Sequence, residues 1–131
     1  MLDYSHKSVI DALMIPKRVI MATNGPAGLL ASEFICESDE LKLYVLIPKT
    51  SDHLFNLESD LSVSLVTDAW ELRGQAHILL NPPADLDLRL LNEPDYMWCT
   101  LVRIDPDQIH FLLKGGQGNI ETIDLNLVIS P

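Results

Sequence analysis

Read for its pattern of apolar and polar positions, most of the chain resolves into short apolar runs with a period near two, cut by clusters of turn residues. The stretch from Leu41 to Leu57 organises the rest. Leu41 to Ile47 (LKLYVLI) is rich in β-branched and aromatic residues and suits a strand buried on most of its surface, which Pro48 ends because it has no N–H for a sheet ladder. Thr50, Ser51 and Asp52 then form a hydroxyl-rich helix start. His53 to Leu57 follows, with Leu54 and Leu57 three apart on one face.

Before this stretch, Val9, Ile10, Leu13 and Met14 fall at helical spacing, so Asp3 to Met14 reads as a helix with Ser5 as its cap and Pro16 as its stop. Arg18 to Thr23 and Leu29 to Cys36 read as strands around the turn Asn24-Gly25-Pro26-Ala27-Gly28, and Glu37 to Glu40 makes the next turn. After it, Leu61 to Thr67 (LSVSLVT) alternates apolar and hydroxyl residues with period two, and Asp68-Ala69 turns it into a long strand from Trp70 to Leu80. Gly74 within that strand marks a bulge or a close backbone approach. Pro82-Pro83 breaks it, and Leu86 and Leu90 predict a helix from Asp85 to Leu91, ended by Asn92 to Asp95. Trp98 to Ile104, Gln108 to Leu113 and Ile120 to Leu125 complete the strands, with Asp105-Pro106-Asp107 and Gly115-Gly116-Gln117-Gly118 as the breaks.

This gives seven or eight strands and three short helices, a mainly β chain. Strands joined by short loops favour an antiparallel meander over βαβ units, and so many on one chain of 131 residues favour a small β-barrel, which leaves no exposed edges. The length suits a single domain spanning residues 1–131.

Composition narrows the function classes. An apolar fraction of 47% with 21% charged residues argues for a packed globular chain. Nine basic against 19 acidic residues give a net charge of -10 without a basic cluster, which excludes nucleic acid as an expected partner. No apolar run approaches the roughly 20 residues of a membrane span, and the N-terminus lacks the basic-then-apolar order of a signal peptide, so a soluble cytoplasmic protein with no membrane partner is expected. Cys36 and Cys99 lack CxxC spacing and read as reduced thiols, although sequence leaves open whether they meet.

Candidate chemistry concentrates at the start of the short helix, where free N–H groups and the positive end of the helix dipole suit a phosphate. Lys114 followed by Gly115 to Gly118 lacks the GxxxxGK[ST] order of a phosphate loop and reads as a hairpin loop. His6, His53, His77 and His110 show neither HxH nor HExxH spacing, so no metal site is expected. Ser51, Asp52 and His53 are the residue types of a hydrolytic triad, but three neighbours in a row cannot adopt its geometry among themselves. Trp70 and Trp98 read as core or interface residues, and Asn56 as a ligand contact or a helix-end cap.

Four pieces in order are distinctive: Ala22-Thr23 at a strand end, the turn-strand Gly28 to Ser32, the strand-to-short-helix stretch ending in Asn56-Leu57, and Trp70 to Ala76 (WELRGQA). Together, over about Tyr4 to Leu125, they resemble the pyridoxamine 5'-phosphate oxidase-like family. The resemblance implies an antiparallel split β-barrel of the FMN-binding type, a homodimer with cofactor sites at the interface, and FMN as a small-molecule ligand. It implies that Leu30, Ala31, Ser32, Leu46 and Ile47 cradle the flavin ring, that Lys49, Thr50, Ser51 and His53 lie at the phosphate, and that Asn56 and Arg73 lie near the ligand. The implied activity is a flavin-dependent oxidoreductase of unknown substrate with no assigned catalytic residue. The alternative is a non-catalytic split-barrel dimer that has lost flavin and serves as an interaction or small-ligand-binding protein.

The chain departs from the family pattern at one place. A basic pair usually follows the hydroxyl residue at the helix start, whereas here Ser51 is followed by Asp52 and His53. A carboxylate a few Å from a phosphate repels it, at a cost of a few kcal/mol per close pair at an effective dielectric near 20. Lys49, the helix N-terminus and a protonated His53 would offset part of this.

Overall fold

The structure, a computed structural model, describes residues 18–112 and 120–124. The helix expected over Asp3 to Met14 and the loop Gly115 to Gly118 lie outside the described residues. Strand β1 (Arg18–Thr23) shows why the period of two is decisive: Val19, Met21 and Thr23 are buried, while Arg18 and Ile20 are exposed. β1 pairs antiparallel with β2 (Leu30–Asp39), which pairs with β3 (Lys42–Pro48). The turn between β2 and β3 is tighter than Glu37 to Glu40 suggested. Asp39 pairs with Lys42, so only Glu40 and Leu41 remain in the loop, with Glu40 in the left-handed region at φ 57°.

Helix α1 (Asp52–Ser59) follows β3, and β4 (Ser62–Val66), β5 (Trp70–Leu79), β6 (Cys99–Leu112) and β7 (Ile120–Asp124) complete the sheet. β4 lies between β1 and β5, β5 pairs with β6, and β6 returns to β3. Six strands therefore close into an antiparallel barrel, and β7 adds to β6 outside the ring. This is the mainly β barrel that the pattern predicted, of the split type that the resemblance implies.

β3 is buried on both faces, for two different reasons. Leu43, Val45 and Ile47 point into the barrel with Met21, Leu65, Trp70, Leu72 and Ile104. Tyr44 and Leu46 point outward beside Leu101 of β6, where Leu88 and Leu90 cover them. The cover comes from the segment expected to be a helix from Asp85 to Leu91, and here the expectation fails. Leu88 and Leu90 are buried two residues apart, an extended spacing, and only a single 3-10 turn forms at Arg89–Asn92. Seating both leucines on the barrel outweighs the weak helix propensity of so short a segment. A second 3-10 turn, Tyr96–Trp98, leads into β6.

The expected break at Asp105-Pro106-Asp107 is also corrected, because β6 runs unbroken for 14 residues. Gly74 pairs with Pro106 and Arg73 with Gln108, which leaves Asp107 as the extra residue of a β-bulge. A bulge accommodates the proline that a regular central ladder would reject. Both readings of Gly74 hold, since a Cβ there would lie 2.5 Å from the Asp105 carbonyl oxygen. Neither Cys36 in the barrel core nor the half-buried Cys99 is in a disulfide, and burial followed by the neighbouring Glu37 pushes the Cys36 thiol up to about 11.

Candidate functional site

The barrel is split between β2 and β3. Their pairing starts at Asp39 and Lys42 and ends at Cys36 and Val45. Beyond that point β2 stays with β1, through Leu30 opposite Thr23, while β3 stays with β6, through Pro48 opposite Cys99. Among the described residues, Leu30 to Ile35 therefore have a strand on one side and none on the other, and the backbone donors and acceptors of that edge face the opening. Ala31, Ser32 and Glu33 are exposed along it, and Leu30 is half-buried.

α1 seats its first turn at this opening. Ser51 caps it, its hydroxyl accepting from the His53 N–H at 3.2 Å. Leu57 is fully buried and the half-buried Leu54 packs on the same core, which fixes the helix face that turns inward. That face also carries His53, 3% exposed, and Asn56, fully buried.

These two side chains tie the helix to β1 and to the turn after it. Thr23 Oγ1 lies 2.8 Å from His53 Nδ1, and Ser32 Oγ lies 2.9 Å from Nε2. Asn56 Nδ2 donates to Thr23 Oγ1 at 3.1 Å and to the Gly28 carbonyl at 2.8 Å, and its Oδ1 accepts from the Ala27 N–H at 2.9 Å. With a neutral imidazole every group is satisfied: Thr23 accepts from Asn56 and donates to Nδ1, while Nε2–H donates to Ser32. Phe34 meets the ring edge-on with centroids 5.2 Å apart. Burial lowers the proton affinity of His53 below its ordinary value of 6.5, and the adjacent Asp52 opposes this only in part.

Apart from Leu30 and Ala31 on the β2 edge, the sequence candidates thus fall in four places. Ser32, His53 and Asn56 come together, but within an internal network that also recruits Thr23. Lys49, Thr50 and Ser51 cluster at the helix start, with Lys49 and Thr50 exposed and the Lys49 N–H donating to the Trp98 carbonyl at 2.9 Å. Leu46 and Ile47 are buried side chains of β3, so any role of theirs toward a ligand falls to the backbone. Arg73 does not join the helix start. Its exposed side chain lines a cavity of about 350 Å³ together with Asp60 at the far end of α1, Ser62 and Asp107, and none of Lys49 to His53 lines that cavity. A helix of eight residues is about 12 Å long, which separates the two ends.

Thr23 and Gly25 are the site residues that sequence reasoning missed. The signal for Thr23 was present: after Val19 and Met21 it occupies the third inward position of β1, where a polar side chain needs a buried partner. Gly25 had no comparable signal, because the need for it arises only when Asn56 docks; a Cβ at Gly25 would lie 2.8 Å from Asn56 Oδ1.

No protein-family model matches the sequence, and no curated protein matches it either. Solved structures do. A Clostridium acetobutylicum protein related to general stress protein 26, of the pyridoxinephosphate oxidase family, superposes with a TM-score of 0.69 at 18% identity, covering 95% of this chain and 99% of that one. General stress protein 26 from Bacillus anthracis gives 0.65 at 17% identity, covering 90% and 97%. A heme binding protein from Mycobacterium smegmatis gives 0.67 at 15% identity over 98% of this chain, which spans 61% of that protein's length. The chain has the pyridoxamine 5'-phosphate oxidase-like split-barrel fold.

Proposed function

We propose that this protein binds a flavin, and that the flavin ring lies along the free edge of β2 between Leu30 and Glu33. The observation that carries this reading is the parting of β2 from β3. A strand edge offers alternating N–H and C=O groups, and the pyrimidine end of an isoalloxazine presents an alternating row of acceptors and a donor that complements it. Exposed Ala31 and half-buried Leu30 add apolar contact beside that row. Backbone recognition of this kind tolerates many side chains, in keeping with a fold shared at under 20% identity.

FMN is the flavin that the family resemblance implies, and its phosphate would fall at Lys49 to His53. Here the residues do not fit. Asp52 is an exposed carboxylate, His53 has both ring nitrogens committed within the barrel, and Arg73 lines the cavity at the far end of α1, so among the described residues Lys49 is the one cation of the cluster Lys49 to His53. The flavin supplies the redox chemistry when bound; the chain supplies the edge that orients it. Flavin-dependent oxidoreductase activity and assembly as a homodimer belong to the same proposal. A heme ligated through His53 is disfavoured, because its ring would have to leave both hydrogen-bond partners to reach an iron.

The test is the visible spectrum of the purified protein, followed by titration of flavins into any colourless fraction. Quenching of flavin fluorescence at micromolar protein is expected. A colourless protein that leaves flavin fluorescence unchanged would return the barrel to a role in protein interaction or the binding of another ligand.

A further inference from the structure

Resting on the flavin reading, we propose that the ligand of this chain carries an uncharged, hydroxylated tail, so that the dephosphorylated flavin, riboflavin, binds in preference to FMN. The misfit at the start of α1 is not only a missing cation. The groups that surround the tail position form a set with its own chemical preference.

Four observations define that set. Asp52 presents an exposed carboxylate in the first turn of α1. The N–H groups of the same turn are partly taken, that of His53 by the Ser51 hydroxyl and that of Leu54 by the Ser51 carbonyl at 3.2 Å. The His53 ring faces inward between Thr23 and Ser32, in bonds that a neutral imidazole satisfies, and Asp52 is the charged group acting on it. Lys49 supplies one exposed positive charge.

A phosphate monoester carries about -1.5 to -2 charges at neutral pH and offers only acceptors. It would meet a carboxylate, one ammonium and a neutral ring, on a chain of net charge -10. A polyol tail ending in CH2OH brings O–H donors. Those donors match the acceptor-only carboxylate of Asp52, and the hydroxyls of Thr50 and Ser51 can pair with the remaining oxygens. Asp52 therefore acts as the specificity-determining residue: it accepts from a hydroxyl tail and repels a phosphorylated one.

The experiment compares riboflavin and FMN by fluorescence quenching with the full chain at low ionic strength. Riboflavin should bind at least about tenfold more tightly, the scale of one close like-charge contact in a partly solvated site. Asp52→Arg should reverse the order, and its gain for FMN should shrink as salt rises, while riboflavin binding stays insensitive to salt. Asp52→Asn, a milder change, should narrow the gap without reversing it. Asp68→Arg makes the same charge change in the exposed β4–β5 turn, beyond the opposite end of β1, and should leave the ratio unchanged. FMN binding the unaltered chain more tightly than riboflavin would overturn this inference and leave the flavin reading standing, as would an Asp52→Arg effect equal for both ligands. Failure of both flavins to bind would overturn the flavin reading and this inference with it.

Discussion

Asn56 makes three hydrogen bonds while fully buried, and truncating it to alanine would strand the Ala27 N–H, the Gly28 carbonyl and one lone pair of Thr23. Each unsatisfied buried group costs about 1 to 3 kcal/mol, so Asn56→Ala should lower stability by about 2 to 4 kcal/mol, measurable as a shift in the urea midpoint. His53 carries a pH signature. Its folded-state proton affinity lies below the ordinary value of 6.5, so the unfolded chain binds more protons as pH falls below that value. The contribution of His53 to stability is therefore complete above about pH 6.5 and declines as pH falls from there toward its lowered folded pKa. Melting temperatures between pH 5 and 8 should show this slope in the unaltered chain and a flatter profile in His53→Gln. The sequence shows a histidine beside a helix cap; it does not show whether the ring turns out toward a ligand or in toward Thr23. That choice depends on the β1 and β2 side chains it meets, which are 30 and 21 residues away along the chain.

At the scale of elements, the strands were legible because alternation survives in almost every one of them. β1 follows the expected bounds without change, and β4 and β5 differ only at their ends. The failures share a cause. Asp105-Pro106-Asp107 looks like a turn, and Asp85 to Leu91 like a helix, as long as each segment is judged alone. In the fold, Gly74 across the sheet allows β6 to bulge around Pro106, and the barrel surface draws Leu88 and Leu90 into extended spacing. Gly74 is therefore the residue through which β5 and β6 constrain each other. Gly74→Ala would drive a methyl group onto the Asp105 backbone, which cannot move without disturbing both strands. A loss of about 2 to 4 kcal/mol is expected by chemical denaturation, well beyond the effect of a surface Gly→Ala change.

For the whole molecule, the ring of six strands could be inferred from strand number and short loops, and the order of motifs pointed to the split-barrel type. The position of Arg73 could not, since β6 stands between β5 and β3 in the ring and only the closed topology reveals which end of α1 Arg73 reaches. Large apolar side chains stay exposed on this surface, among them Leu29 at 77%, Trp98 at 68% and Phe55 at 51%. In keeping with the proposed homodimer, sedimentation at micromolar concentration should report a mass of two chains; a single-chain mass would count against a dimeric flavin protein and against a flavin-free dimer alike.

The opening between β2 and β3 also bears on solubility. A bare strand edge is a template for any passing extended chain, and this barrel leaves two such edges facing each other across its split. α1 starts at this opening and is tied to β1, β2 and the turn between them by Asn56 and His53 rather than by a ladder of backbone bonds. Loosening those two side chains should therefore do more than soften the fold. Asn56→Ala should form intermolecular β-structure on storage at temperatures well below its melting point, detectable by thioflavin binding, whereas Gly74→Ala, destabilised to a similar degree inside the closed part of the ring, should remain clear.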